Sequence, residues 1–169
     1  LGTSGVVIFA TGFTNDSRLA VWDRATGAIN VAGDLVNFGF PNSATIHSGD
    51  FYNGFYYLVN DDTDDLWKVS IVGTSGAYAI TSATKVADLF NNTRAHGYGD
   101  FVITPGGVLY AHACITAADT PDFYTADLKL ATPVATSLST PAFGHNGITL
   151  GLNGKLYGGL GVNADNADW

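Results

Sequence analysis

A turn followed by an apolar strand recurs along the chain at nearly constant spacing. No other feature restricts the fold as much. The copies are Asn53-Gly54-Phe55-Tyr56-Tyr57, Gly106-Gly107-Val108-Leu109-Tyr110 and Asn153-Gly154-Lys155-Leu156-Tyr157, at steps of 53 and 47 residues. Ser4-Gly5-Val6-Val7-Ile8 is a weaker copy. A period of this size marks a row of small units, none of which can bury its apolar face alone. Asn-Gly and Gly-Gly between apolar runs predict tight hairpins with both central residues at positive φ. Each unit therefore opens as strand, turn, strand, with 99–104 and 147–152 as examples of the first strand.

A third strand follows in each unit. It reads Arg18-Leu19-Ala20-Val21-Trp22-Asp23, then Asp65-Leu66-Trp67-Lys68-Val69, then Asp122-Phe123-Tyr124-Thr125-Ala126, and finally Asp168-Trp169. Val31-Ala32-Gly33-Asp34-Leu35 and Lys85-Val86-Ala87-Asp88-Leu89 mark a fourth strand. Apolar and polar residues alternate in the third strands. The second strands alternate poorly and read as buried on both faces. Composition closes off helical alternatives. All 15 acidic residues are Asp, and the sequence has no Glu, Gln or Met. Strong helix formers are thus missing, while the turn residues Gly, Asp and Asn abound. A helix bundle, a coiled coil and a doubly wound α/β fold are excluded. Hydrophobic content of 46% excludes a disordered chain. The expected class is all-β.

Four short antiparallel strands in a unit of about 46–50 residues is the arithmetic of a β-propeller blade. The sequence resembles the broad β-propeller superfamily. Its stretch Leu19-Ala20-Val21-Trp22-Asp23-Arg24-Ala25-Thr26-Gly27 is similar to the strand, Asp, x, x, Thr-Gly turn of quinoprotein-like and YVTN-type blades. The Trp-Asp that closes each WD40 repeat occurs once only, at Trp22-Asp23. The resemblance implies one propeller domain over 1–169, with blades at about 1–42, 43–91 and 92–140 and a partial blade at 141–169. The first blade lacks an innermost strand. About three and a half blades do not close a ring of the usual 4 to 8. The expectation is a fragment of a longer propeller, or two copies completing a ring of about seven. Open sheet edges would favour self-association.

Histidine placement is the sharpest chemical signal. His47, His96 and His145 lie 49 residues apart each time, each just ahead of an expected innermost strand. Innermost strands line a propeller's channel, so these imidazoles would gather at one end of it. Imidazole is a good ligand for Zn, Fe and Cu. Some propeller enzymes, such as carotenoid oxygenases, hold a metal on axial histidines, so the resemblance implies a divalent-metal enzyme as one reading. Asp-x-x-Asp recurs before the third strand as Asp62/Asp65, Asp119/Asp122 and Asp165/Asp168, on loops expected at the same end. A His–Asp pair in each blade also works as plain architecture, as a similar pair does in WD40 blades, each group satisfying the other. Repetition in every unit favours the architectural reading, because a catalytic site breaks the symmetry of its scaffold.

Asn60-Asp61-Asp62-Thr63-Asp64-Asp65 offers Asp61, Asp62, Asp64 and Asp65 as oxygen ligands for Ca²⁺. It lacks the EF-hand glycine and closing Glu, and a solvated turn is the plainer reading. Cys114 reads as a small core hydrophobe. His112, two residues away and on the same strand face, makes a Cys–His dyad with no third group. The aromatic residues Phe51, Tyr56, Tyr57, Trp67, Phe101, Tyr110, Phe123, Tyr124 and Tyr157 fall at repeated strand positions and read as core between units. Trp22 and Tyr52 are less regular and are expected at the surface.

Bulk charge narrows the partners. A formal charge of −8 with no basic run argues against nucleic acid. No apolar stretch reaches about 18 residues, so no membrane span is expected. The N-terminal Leu1-Gly2-Thr3-Ser4-Gly5 lacks Met and a basic n-region, as in a processed product. Asn15-Asp16-Ser17 and Asn91-Asn92-Thr93 match glycosylation triplets. With few Lys and no Glu, these features suit an extracellular or periplasmic protein. The functional expectation is a secreted binding or assembly module that works through the end bearing the repeated His and Asp. Its ligand would be a protein or a carbohydrate. A metal-dependent propeller enzyme and a self-assembling surface or filament subunit are the alternatives.

Overall fold

Alternating side chains between glycine-bearing turns produce β-meanders throughout. In the computed structural model, the structure describes residues 5–10, 17–42, 46–60, 63–89, 100–113, 122–139 and 145–160. Among them are thirteen strands, one short 3-10 turn at Leu35–Phe38 and no α-helix. No helix among the described residues is long and apolar enough to cross a membrane. The first sheet is β1 (Val6–Ala10), β2 (Arg18–Asp23) and β3 (Ile29–Asp34). The second is β4 (Ile46–Tyr52), β5 (Phe55–Asn60), β6 (Asp65–Val72) and β7 (Ala79–Asp88). The third is β8 (Phe101–Ile103), β9 (Val108–Ala113), β10 (Asp122–Asp127) and β11 (Thr136–Ser139). The fourth is the pair β12 (His145–Leu150) and β13 (Leu156–Leu160). Within each sheet, strands adjacent in sequence pair antiparallel. The all-β class is therefore observed, and the first sheet has three strands, without a leading one.

The sheets pack face to face in chain order, and the strand period decides which residues do the packing. On β5, Tyr56 and Leu58 join one core with Leu19, Val21 and Leu35 of the first unit. Tyr57 and Val59, pointing the other way, join a second core with Phe101, Leu109 and Tyr124 of the third. The second sheet is thus covered on both faces, and β5 is buried from Tyr56 to Asn60. This explains why its sequence does not alternate. β1 is equally apolar, yet Val7 and Phe9 are each 39% exposed, because no sheet lies behind them among the described residues. The leading strands run together: β4 lies beside β8, and β8 beside β12.

The predicted hairpins differ in detail. Asn53 (φ 49) and Gly54 (φ 83) form the expected two-residue turn, with Tyr52 opposite Phe55. The other two copies are longer. The Gly107 amide donates to Thr104 O and the Gly154 amide to Gly151 O, leaving only Gly107 and Gly154 left-handed. Such three-residue loops need one glycine rather than two. The Asp-x-x-Thr-Gly turn after β2 has a clear cause. The Asp23 carboxylate accepts from Ala25 N (2.9 Å) and Thr26 N (3.3 Å), and Gly27 takes φ 74. The Thr26 hydroxyl then meets the Ser75 hydroxyl of the second sheet's turn at 2.6 Å.

Candidate functional site

Two aspartates hold the leading strands to one another. Asp50, on β4, accepts from its neighbour Phe51 N (2.7 Å) through Oδ1 and from Ile103 N of β8 (2.7 Å) through Oδ2. Asp100, just ahead of β8, repeats the arrangement. It accepts from Phe101 N (2.8 Å) through Oδ1 and from Ile148 N of β12 (3.3 Å) through Oδ2. Each carboxylate therefore serves two backbone amides on adjacent sheets, and bonds of this charge-assisted kind are the stronger ones. The tripeptide Gly-Asp-Phe at 49–51 and again at 99–101 is the signal that could have found them.

Burial pushes both carboxyls above the usual aspartate value, against the pull of the amides that bond them, and the charge of Asp50 adds to the rise at Asp100. Both charges reach Tyr56, buried on β5, whose phenol is pushed up by burial and by both carboxylates. Its hydroxyl lies where a Cβ on Gly49 would stand. A folded value above the unfolded one means that folding disfavours the charged form. The contribution is present below the ordinary aspartate value of about 4 and is lost as pH rises through the raised values. Stability in urea is expected to rise as pH falls from neutral towards about 4. An Asp50→Asn/Asp100→Asn double variant should flatten that rise. An unchanged slope in the variant would assign the pH dependence to other groups.

A cleft of about 370 Å³ opens at the hairpin ends of β4 and β8. Phe51, Tyr52, Asn53, Ile103, Thr104 and Pro105 line it. The Tyr52 ring is steadied by Tyr57, 6.3 Å away between centroids, and its hydroxyl lies against Gly107. Asn53 is exposed at the rim. A second cleft of about 350 Å³ follows at the next junction, with Asp100, Ile148 and Thr149 on its walls. Both clefts offer hydroxyl, amide or carboxylate groups beside apolar surface. Neither is lined by Lys, Arg, His or Cys.

Of the histidine and aspartate repeats, His47 and Asp65 lie toward the other end of β4. His47 is inside β4 and His145 begins β12, so the leading strands start earlier than expected. Both strands carry a bulge there, between Ile46 and Ser48 and between His145 and Gly147. The register Ile46–Asn60–Asp65 puts the His47 backbone within one rung of Asp65. Asp64 and Asp65 do not form a solvated turn: they are 2% and 6% exposed. Asp64 is left-handed (φ 55) and its carbonyl accepts from Leu89 N, while Asp65 pairs with Lys85 across β6 and β7 at 2.6 Å. Asp122 begins β10. His96, Asp61, Asp62, Asp119, Asp165, Asp168 and Cys114 lie outside the described residues. Among the described residues no three His, Cys, Asp or Glu side chains are grouped to hold a metal ion. His112 is buried on β9 at a gap of about 190 Å³ between the third and fourth sheets.

Of the aromatics expected in the core, Tyr56, Tyr57, Trp67, Phe101 and Tyr124 are buried, and Phe51, Tyr110 and Phe123 partly so. Tyr157 is half exposed. Trp22 is 40% exposed, as expected, and Tyr52 is partly buried. Comparison with protein-family models, curated proteins and solved structures gave no match.

Proposed function

We propose that this chain is a binding module of β-propeller type, working in an extracellular or periplasmic setting. Its ligand seats in the cleft between the hairpin ends of β4 and β8. The stacked antiparallel meanders, with their leading strands side by side, support the propeller reading. The cleft itself carries the functional one. Its volume of about 370 Å³ falls in the range of small-molecule sites. Two aromatic rings, a proline ring, an amide and a hydroxyl line it, with no ionised side chain among them. That combination fits a neutral, hydroxyl-rich ligand such as an oligosaccharide. Aromatic and proline rings cover the apolar face of a sugar, and Asn53 and Thr104 bond its hydroxyls.

Asn53→Gly is the sharpest probe. Glycine keeps the positive φ that the turn requires and removes only the amide. In calorimetric titrations against a panel of neutral oligosaccharides, the substitution is expected to weaken binding by about tenfold, the equivalent of one good hydrogen bond. The proposal fails if no member of the panel binds, or if binding is indifferent to the loss of Asn53.

A further inference from the structure

We propose that the gap between the third and fourth sheets is a binding site for a small neutral phenol, which lays its ring between the sheets and its hydroxyl on the His112 imidazole. The repeat is broken at this place. Counted from the turn glycines Gly54 and Gly107, His112 on β9 holds the position of Val59 on β5, and its cross-strand partner Phe123 holds that of Leu66. Val59 and Leu66 are buried and belong to the core between the second and third sheets. At the next junction an imidazole stands where valine filled the core, and it is just as deeply buried, at 1% exposure. The His112 amide donates to the Asp100 carbonyl at 3.0 Å, which fixes the residue on its strand. The fourth sheet is cut back at the same place. Gly158 lies four residues after Gly154, as Leu58 lies after Gly54 and Ala111 after Gly107. Leu58 and Ala111 are buried, each against the sheet before its own, whereas Gly158 brings no side chain. One wall made polar and the other wall trimmed leave a gap of about 190 Å³, bounded by His112, Phe123, Ile148, Leu156, Tyr157 and Gly158.

The lining selects the ligand. An apolar cavity of about 150 Å³ accepts a benzene ring, so this gap has room for one ring with a small substituent. Phe123, Ile148 and Leu156 supply apolar surface for that ring. The Phe123 ring is itself steadied by Tyr110, 6.3 Å away between centroids, and Ile148 is tied through its amide to the Asp100 carboxylate. Among the described residues, no Lys, Arg or Asp lines the gap. A cation therefore finds no carboxylate on the wall, and an anion must approach a chain of charge −8. A neutral molecule avoids both costs. The phenol hydroxyl answers the imidazole, because each group donates and accepts, and the bond forms with the proton on either ring nitrogen. Toluene fills the same space and leaves that bond unmade, so the imidazole favours the phenol over the hydrocarbon.

Titration of the purified chain with phenol, para-cresol and toluene, followed by ligand-observed nuclear magnetic resonance, tests this. The two phenols are expected to bind about tenfold more tightly than toluene. His112→Val installs the second sheet's residue at this position. It should weaken both phenols about tenfold and leave toluene unchanged. Gly158→Leu likewise copies the second sheet, fills the gap and should abolish binding of all three. Far-ultraviolet dichroism checks that each variant folds. His112→Leu replaces the first if it does not. Gly158→Ala replaces the second, and is then expected to weaken para-cresol more than the smaller phenol. Phenols that do not bind the wild type, or bind it no better than toluene, overturn the proposal. So does a preference for phenols that survives loss of the imidazole, or binding that is indifferent to the side chain added at Gly158. None of these residues lines the β4–β8 cleft, so no outcome bears on it.

Discussion

Replacing Trp67 by alanine is expected to lower the unfolding free energy by about 3–5 kcal/mol, the usual cost of removing a large buried ring. Trp67 is 6% exposed on β6 and points back into the core shared by the first and second sheets. Its ring meets Phe40 edge-on, at 5.2 Å between centroids and 67° between planes. Phe40 cannot follow a shrinking neighbour. The Asp34 side chain caps the 3-10 turn at Val36 N, Gly39 turns left-handed with φ 89, and the Phe40 amide donates to Leu35 O at 3.2 Å. A rigid wall of this sort leaves a cavity rather than collapsing, which puts the loss at the high end of the range. Trp22→Ala is the control, since Trp22 is 40% exposed. It should cost less than about 1 kcal/mol. Urea unfolding at unchanged slope reads both. Equal losses at the two tryptophans would mean that the first and second sheets do not share this core.

Asp50→Ala is expected to cost about 2–4 kcal/mol, because it deprives the amides of Phe51 and Ile103 of their acceptor together. The effect is specific to the tie between the second and third sheets. Asp50→Asn keeps one acceptor oxygen and should lose about half as much. The two substitutions therefore separate charge from geometry. If asparagine costs as much as alanine, both carboxylate oxygens are needed at once. If neither costs more than a surface change, about 0.5 kcal/mol, the leading strands are held by packing alone.

Much of this architecture is legible in the chain. Asn-Gly fixed one hairpin, and the all-apolar run Phe55 to Val59 could only sit between two covered faces. The order of strands followed from the period. What escaped has a common cause: a side chain's type does not say whether a neighbour exists. Val7 and Phe9 look like their counterparts Tyr56 and Leu58, yet they face outward because no described sheet lies behind them. Tyr157 repeats the position of a core tyrosine on the last described sheet, yet it stays half exposed. Asp50 and Asp100 are acids within or beside strands, a pattern that ordinarily marks a solvated face. Only the repetition of Gly-Asp-Phe hints at a shared task, and only the register of β8 and β12 reveals the amides they reach. Asp65 is likewise hidden by composition, since its partner Lys85 lies twenty residues on, across a hairpin.

The two-sided burial of the second sheet has a wider meaning. Among the described residues, its core contacts reach the sheet before and the sheet after. A chain organised this way has local rules for growth. Duplicating a unit adds one new junction and disturbs none of the old ones, and deleting a unit rejoins a back face to a front face of the same pattern. Each core can thus keep its composition as units are added or lost, with closure of a ring the one constraint on their number. Selection on any single junction, such as the one closed by Asp50, is then free to proceed without retuning the others.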